Sequence, residues 1–529
     1  MTSTTATDKR GFNPWLVLAF ISIPVFVGAL DLTVVSAFLP ELIIELGLPL
    51  NTGLDDAAWI VSAYLLAYTV SLTFMGRVSD LVGRRVVYVI CLLVFMAGSV
   101  LVATAQGGPS DLLYSLYRRA GERPDPAYVQ LQAIIIGRVI QALGAGALVP
   151  VSLALVADMF PRSKRAQPLG IIGAVDTLGW VLGHLYGGLF VQVVHWHWLF
   201  WINVPITVIA LVLTLYGLRH VPQQRIKGRF DYLGSALIVG ALICLNLGLG
   251  GNFEIGATTT LDTLSSAPPF GGTLLIASGV LLALFIVWEL RVKFPLIDLR
   301  MFKKPAFSAG ATANLLVGYA LFIGLVSVPI LVNVRQTDAS TLRQAALQVG
   351  ILLSALTVPM AIAAIPGGYL AGRIGYRLTT ILGLLLAVIG FTLIWQTWSL
   401  DMSDTIIALE MALVGIGIGL TFSPISASVI NAAGDDQRGV SSALVLVLRL
   451  IGMTLSVSSL TTIALQRVNF LAAIELGGVG LDPIGNAYTY AEITVRVLGE
   501  LGLIGAVICG IAVIPALLLP RRGADALAA

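Results

Sequence analysis

Gly76-Arg77-Val78-Ser79-Asp80-Leu81-Val82-Gly83-Arg84-Arg85 has a counterpart far down the chain, Gly368-Tyr369-Leu370-Ala371-Gly372-Arg373-Ile374-Gly375-Tyr376-Arg377. The two share glycine at 76/368 and 83/375 and arginine at 85/377, and each follows a long apolar run. Both are short and basic, as loops on the cytoplasmic side of a membrane are. Duplication of one half-molecule is the economical explanation. Working outward from the two loops, the chain divides into residues 1–218, a linker of 219–306 and residues 307–529. Membrane bundles built from repeats place their substrate site near the midplane, between the halves.

A bilayer core of about 30 Å takes ~20 apolar residues in helical form. Fourteen runs fit, near 15–39, 55–75, 86–105, 131–158, 167–193, 198–218, 232–250, 272–290, 307–333, 346–366, 378–396, 405–431, 440–466 and 495–519. The expected fold is therefore an all-α polytopic membrane protein. It has two six-helix bundles and a central inserted pair, fourteen transmembrane helices in all. Composition agrees. Apolar residues make up 57% of the 529 and charged residues 11%, against roughly 25% charged in soluble domains. So few charges cannot keep such a surface in water.

Charge placement tests the count. Of the 31 basic residues, Arg118, Arg119, Arg123, Arg335, Arg343, Arg467 and Arg496 fall in expected outer segments. Arg138 and Arg449 fall inside spans, and the rest lie on the inner side if both termini are cytoplasmic. A miscounted span would invert half the molecule and destroy this asymmetry. Lys9 and Arg10 precede an apolar stretch too long for a signal peptide, so it is expected to be retained as the first span. Three outer loops, about 106–130, 251–271 and 467–494, exceed a simple turn, and the sequence does not decide whether they are ordered. Net charge of +3 without a basic block excludes nucleic-acid binding. Cys91, Cys244 and Cys509 lie apart inside apolar runs and suggest neither a disulfide nor a metal site.

The motifs are specific in combination. Gly76 to Arg85 resembles the signature loop of the major facilitator superfamily, and fourteen spans with a central pair resemble its drug:proton antiporter branch. Leu30-Asp31-Leu32-Thr33-Val34-Val35 through Leu39-Pro40 resembles that branch's first-span motif. Arg138-Val139-Ile140-Gln141 with Gly144 and Gly146 resembles the fourth-span motif. Gly179-Trp180-Val181-Leu182-Gly183-His184-Leu185-Tyr186-Gly187-Gly188 resembles the fifth-span antiporter motif, with His184 where that motif has proline. A closer likeness is to actinobacterial triacylglyceride and drug exporters, which carry an acid in the fifth span, where Asp176 sits here. That likeness implies a periplasmic lipoprotein partner. It also implies a charge cluster that latches the cytoplasmic side, built here from Gly76, Asp80, Gly83, Arg84, Arg85, Asp158 and Arg165.

An ionised side chain at midspan costs ~2.5–3.5 kcal/mol on insertion scales, so it needs a partner or a watery cavity. The strong cases are Asp31, Arg138, Asp176, Glu410 and Arg449, with His184 titratable nearby. A carboxyl group keeps its proton in apolar surroundings and releases it beside a guanidinium. Asp31 is thus a candidate proton carrier or outer-side gate and Asp176 a candidate proton carrier, with structural pairing as the alternative for each. Arginine stays charged and cannot carry the proton. Arg138 and Arg449 are candidate coupling partners, Arg449 for Asp31 or Asp176 in one conformation. Glu410, near an outer span end where water is close, and His184 are secondary candidates. Gly179, Gly183, Gly187 and Gly188 mark a closely packed helix at the interface between halves.

No HExxH, GxSxG or GxxxxGK(S/T) sequence occurs, so neither catalysis nor direct ATP drive is expected, and no cofactor or metal. The expected function is proton-coupled export of a lipid or lipid-like solute across a bacterial inner membrane by a monomer. Multidrug efflux and a non-transporting receptor or scaffold are the alternatives. The latter would not need titratable residues in both halves.

Overall fold

The computed structural model describes residues 13–35, 39–47, 50–190, 194–219, 221, 226, 228–249, 270–335, 342–434, 437–475 and 483–521. Among them there is no strand. The helices are α1 (Pro14–Val34), α2 (Leu39–Leu46), α3 (Leu50–Val82), α4 (Arg84–Ala103), α5 (Gly108–Arg119), α6 (Pro126–Met159), α7 (Ala166–Phe190) and α8 (His197–Leu218). They continue as α9 (Tyr232–Gly248), α10 (Gly271–Glu289), α11 (Pro305–Arg335), α12 (Leu342–Arg373), α13 (Tyr376–Thr397), α14 (Asp404–Ala432), α15 (Arg438–Glu475) and α16 (Pro483–Ala516).

Each expected span coincides with a helix. Twelve are long and apolar enough to cross a membrane among the described residues. The two outside that twelve are α7 and α9, the latter a shorter apolar helix of 17 residues. The two loops that opened the sequence reading are built alike. Gly83 and Gly375 have φ of +109° and +94°, a backbone open to glycine at little cost, and each separates one long helix from the next. Helix starts are set by local chemistry. Asn13 and Asp125 each accept a hydrogen bond from the backbone two residues on, at 3.0 Å, with proline at the first helical position.

Several helices outrun the apolar segments that marked them. The loop expected at 467–494 is largely helical, because α15 runs on to Glu475 and α16 begins at Pro483. The loop expected at 106–130 holds α5, and the one at 251–271 lies almost wholly outside the described residues.

Packing places α6 against α3 and α4, and α14 against α12 and α13. Helix α7 lies between α1 on one side and α12 on the other, and α3 packs against α15. The α7 contacts are glycine-mediated. A methyl group at Gly179 would strike Ala29 and the Phe26 carbonyl, one at Gly183 would strike Thr33 and the Leu30 carbonyl, and one at Gly170 would strike the Ala364 carbonyl. Close backbone approach of this kind is how helices associate where lipid supplies no hydrophobic drive between them. Helices α9 and α10 pair with each other, and α10 leaves Ile276, Val280 and Leu284 exposed as a lipid-facing surface would.

Candidate functional site

Among the described residues, three groups of polar side chains hold most of the expected site residues. The first surrounds Asp31, which is fully buried on α1. Its Oδ2 accepts from Arg138 Nη1 at 2.6 Å, and its Oδ1 accepts from Gln141 Nε2 at 3.0 Å and Asn203 Nδ2 at 2.7 Å. Arg138 also donates to Gln141 Oε1 at 2.7 Å, and its guanidinium lies 3.8 Å from the Tyr64 ring centroid. Gln141 reaches on to Ser99 at 2.8 Å. Both oxygens of Asp31 are therefore occupied, by helices α6 and α8. Buried charges are retained when paired and fully hydrogen-bonded in this way.

The second group is different. Asp176, on α7, has its Oδ1 buried without a hydrogen-bond partner. It lines a cavity of about 600 Å³, counting the space at its mouth, together with Arg449 of α15, Phe422, Trp180 and Met453. Arg449 lies 3.8 Å above the Phe422 ring and donates from Nε and Nη2 to Asn314 Oδ1, each at 3.4 Å. Asn314 in turn donates to the Val445 carbonyl. A larger apolar cavity, about 1260 Å³ counting the space at its mouth, adjoins this one and shares Trp180, Leu325, Thr357, Leu450 and Met453 with it. Its walls come from α1, α3, α7, α9, α11, α12 and α15. One carboxylate and one guanidinium thus face a space large enough for an apolar solute. An unsatisfied polar atom there costs free energy unless water, a proton or a ligand group reaches it.

The third group closes the end of the bundle that carries Gly83 and Gly375. Arg84 pairs with Asp80 at 3.2 Å and, more closely, with Asp158. Arg438, from the start of α15, pairs with Asp158 at 2.7 Å. Asp80 accepts from the Gly439 backbone N–H at 3.2 Å, so it caps α15, where a negative charge complements the helix dipole. Gly76 meets Gly439 backbone to backbone, and a side chain on either would collide with the other's carbonyl. Arg165 reaches across to α14. It donates to the Phe160 carbonyl and to Asn431 Oδ1 on α14, both at 2.9 Å, and Asn431 reaches Tyr376 at 3.0 Å. Arg85 stays half-exposed at the edge.

The remaining candidates lie elsewhere. Glu410 is buried, not open to water, and accepts from Thr397 at 2.7 Å and Trp398 at 3.0 Å, away from both cavities. Gly187 is buried within α7, whereas the side chain of His184 and Gly188 lie outside the described residues. Arg449 shares its cavity with Asp176, while Asp31 belongs to Arg138.

Sequence reasoning missed the amides that hold these charges. Asn203 and Asn314 are isolated polar residues in apolar runs, and that was the available signal. Arg438 reads in the sequence only as an inner basic residue, with nothing nearby to suggest Asp158.

The family model described as Major Facilitator Superfamily matches residues 21–457. A triacylglyceride transporter of Mycolicibacterium smegmatis is 32% identical, covering 97% of this chain and 89% of that protein. A triacylglyceride transporter of Mycobacterium tuberculosis is 33% identical, covering 95% and 93%. Among solved structures, a proton:xylose symporter superposes with a TM-score of 0.56 at 14% identity, covering 93% of this chain and 94% of that one. A human organic anion transporter gives 0.56 at 16%, covering 94% and 100%. At such identities these two likenesses speak for the fold alone.

Proposed function

The chain belongs to the major facilitator superfamily, and from that premise we propose that it exports a triacylglyceride-like lipid by proton-coupled alternating access. It is a multi-pass membrane transporter and not an enzyme. In our reading it crosses the cytoplasmic membrane fourteen times with both termini inside. Residues 1–218 and 307–529 form two six-helix bundles that rock about the cavity, and α9 with α10 is the inserted pair. A protomer acts alone in the membrane, and a periplasmic lipoprotein takes up the lipid outside.

The observation that carries the proposal is the contrast between two carboxylates within the helix bundle. Asp31 is saturated with donors. Asp176 has an oxygen without a partner inside an apolar cavity, facing a guanidinium. A group that is to bind and release a proton must be reachable and incompletely held, and Asp176 has both properties. Asp31 and Arg138 act as the structural counterpart that fixes α1, α6 and α8.

The cycle follows from these positions. With the Asp80–Arg84–Asp158–Arg438 cluster closed, the cavity faces outside, lipid leaves, and Asp176 takes a proton. Neutral Asp176 no longer holds Arg449 across the cavity, which permits the rocking step. Inside, the proton leaves and Arg449 again faces a carboxylate. One charge moving down 100 mV supplies ~2.3 kcal/mol, enough for useful accumulation. The apolar walls suit acyl chains, which need burial and few polar contacts.

The test is transport of a fluorescent triacylglyceride into or out of proteoliposomes under an imposed pH gradient. Asp176→Asn should lower the gradient-driven rate about tenfold or more, one factor of ten for each 1.36 kcal/mol of lost drive. An Asp176→Asn protein that transports normally and still follows the gradient would sink the proposal. Dye efflux from cells with unchanged membrane lipid would favour multidrug export through the same cavity.

A further inference from the structure

We propose that Glu45, His195 and His197 form a binding site for a divalent transition-metal ion, best matched by zinc, at the end of the bundle opposite the Asp80–Asp158 cluster. The three side chains offer ligand atoms that all lie within 4.8 Å of one another. His195 stands between the other two. Its Nε2 is 3.1 Å from Glu45 Oε2, and its Nδ1 is 2.7 Å from His197 Nδ1. The first separation is close to that of neighbouring donors on a tetrahedral zinc ion, roughly 3.3 Å for bonds of about 2.0–2.1 Å. A small turn of either imidazole opens the second. Two ring nitrogens 2.7 Å apart share one proton, the second nitrogen accepting it through its lone pair, so an ion would displace that proton and draw both lone pairs to itself.

The surroundings aim these donors. Glu45 Oε2 accepts from Trp196 Nε1 and Glu45 Oε1 accepts from Gln106 Nε2, both at 2.7 Å. Trp196 is fully buried, which makes it a fixed support. Metal-binding carboxylates and imidazoles are held by outer hydrogen bonds of this kind. His197 opens α8 and stacks on Trp196, with centroids 3.7 Å apart. The His195 side chain is 48% exposed, which leaves an entry path and room for water on the ion. Two imidazoles and one carboxylate make a nitrogen-rich set that suits zinc better than calcium or magnesium, which prefer oxygen.

The site would fasten α2 to the start of α8. Asn203, less than two turns into α8 from His197, is one of the donors to Asp31 on α1, the helix that leads into α2. An ion here thus pins both flanks of the Asp31 network from one end.

The test uses the full chain, purified without a histidine tag, stripped with chelator and titrated with zinc chloride by calorimetry. One zinc per chain should bind. His195→Ala, His197→Ala and Glu45→Gln should each weaken binding about tenfold or more, and Trp196→Phe should weaken it by loss of the supporting indole donor. Glu122→Gln, an exposed acid of the same end, should bind as the unaltered protein does. Should a variant at the buried Trp196 fail to fold, the exposed His195→Ala decides. No zinc bound, or equal binding by His195→Ala and the unaltered protein, overturns the proposal.

Discussion

Replacing Arg438 by glutamine should unlatch the closed end of the bundle while leaving each half intact. Asp158 keeps its Arg84 partner in the variant, and that pair joins α4 to α6 within one half. The Arg438–Asp158 contact, at 2.7 Å with side chains 9% and 8% exposed, is the pair that crosses to α15. Only a contact that differs between two states can bias their equilibrium. A charge-assisted hydrogen bond contributes about 1.5–3 kcal/mol. At ~1.4 kcal/mol per factor of ten, its loss should shift the population toward a state open at this end by about tenfold to somewhat over a hundredfold. The pair is nearly buried, so added salt should change this little. Spin labels at Ser163 and Ile374, both exposed at this end, would read the opening as a longer distance. Cys91 and Cys509 are buried and Cys244 half-buried, and all three can be replaced by serine beforehand. An unchanged distance distribution in Arg438→Gln would refute the reasoning.

Asp31→Ala leaves the Arg138 guanidinium buried without its carboxylate and should cost about 3–5 kcal/mol, seen as a lower Tm of the purified protein. Adding Arg138→Met should recover part of that loss, since the stranded charge goes with it. Gly183→Leu drives a side chain into Thr33 and the Leu30 carbonyl, so α7 must part from α1. Transport should fall at least as far as with Asp176→Asn, and size-exclusion chromatography should show whether the fold survives.

Some of this architecture was legible because it rests on patterns that need no third dimension. Apolar run length marked the helices, and Gly83 and Gly375 marked two matching turns, since both sit where the chain takes positive φ. Hydropathy measures what lies in lipid and not where a helix stops. The continuations of α15 to Glu475 and of α16 back to Pro483 were therefore invisible. Asp31 and Asp176 looked equivalent as lone acids in apolar spans. Their difference lies in who faces them, namely Gln141 and Asn203 for one and a cavity for the other. Of the ion-pair cluster, Asp80 and Arg84 stand in the signature loop and were legible there. The cluster's far jaw, Arg438 and Gly439, depended on how α15 crosses α3.

That crossing bears on the energetics of the membrane itself. At Gly76 and Gly439 the two helices touch through peptide groups with no side chain interposed. A seam so thin has no room for a hydrated ion or a file of water. On the proposed cycle, a carrier could therefore stand open on one side, emptying a bulky cargo, without short-circuiting the voltage across the membrane. A methyl group at either glycine would wedge the seam, and the first sign would be leak current rather than slow export.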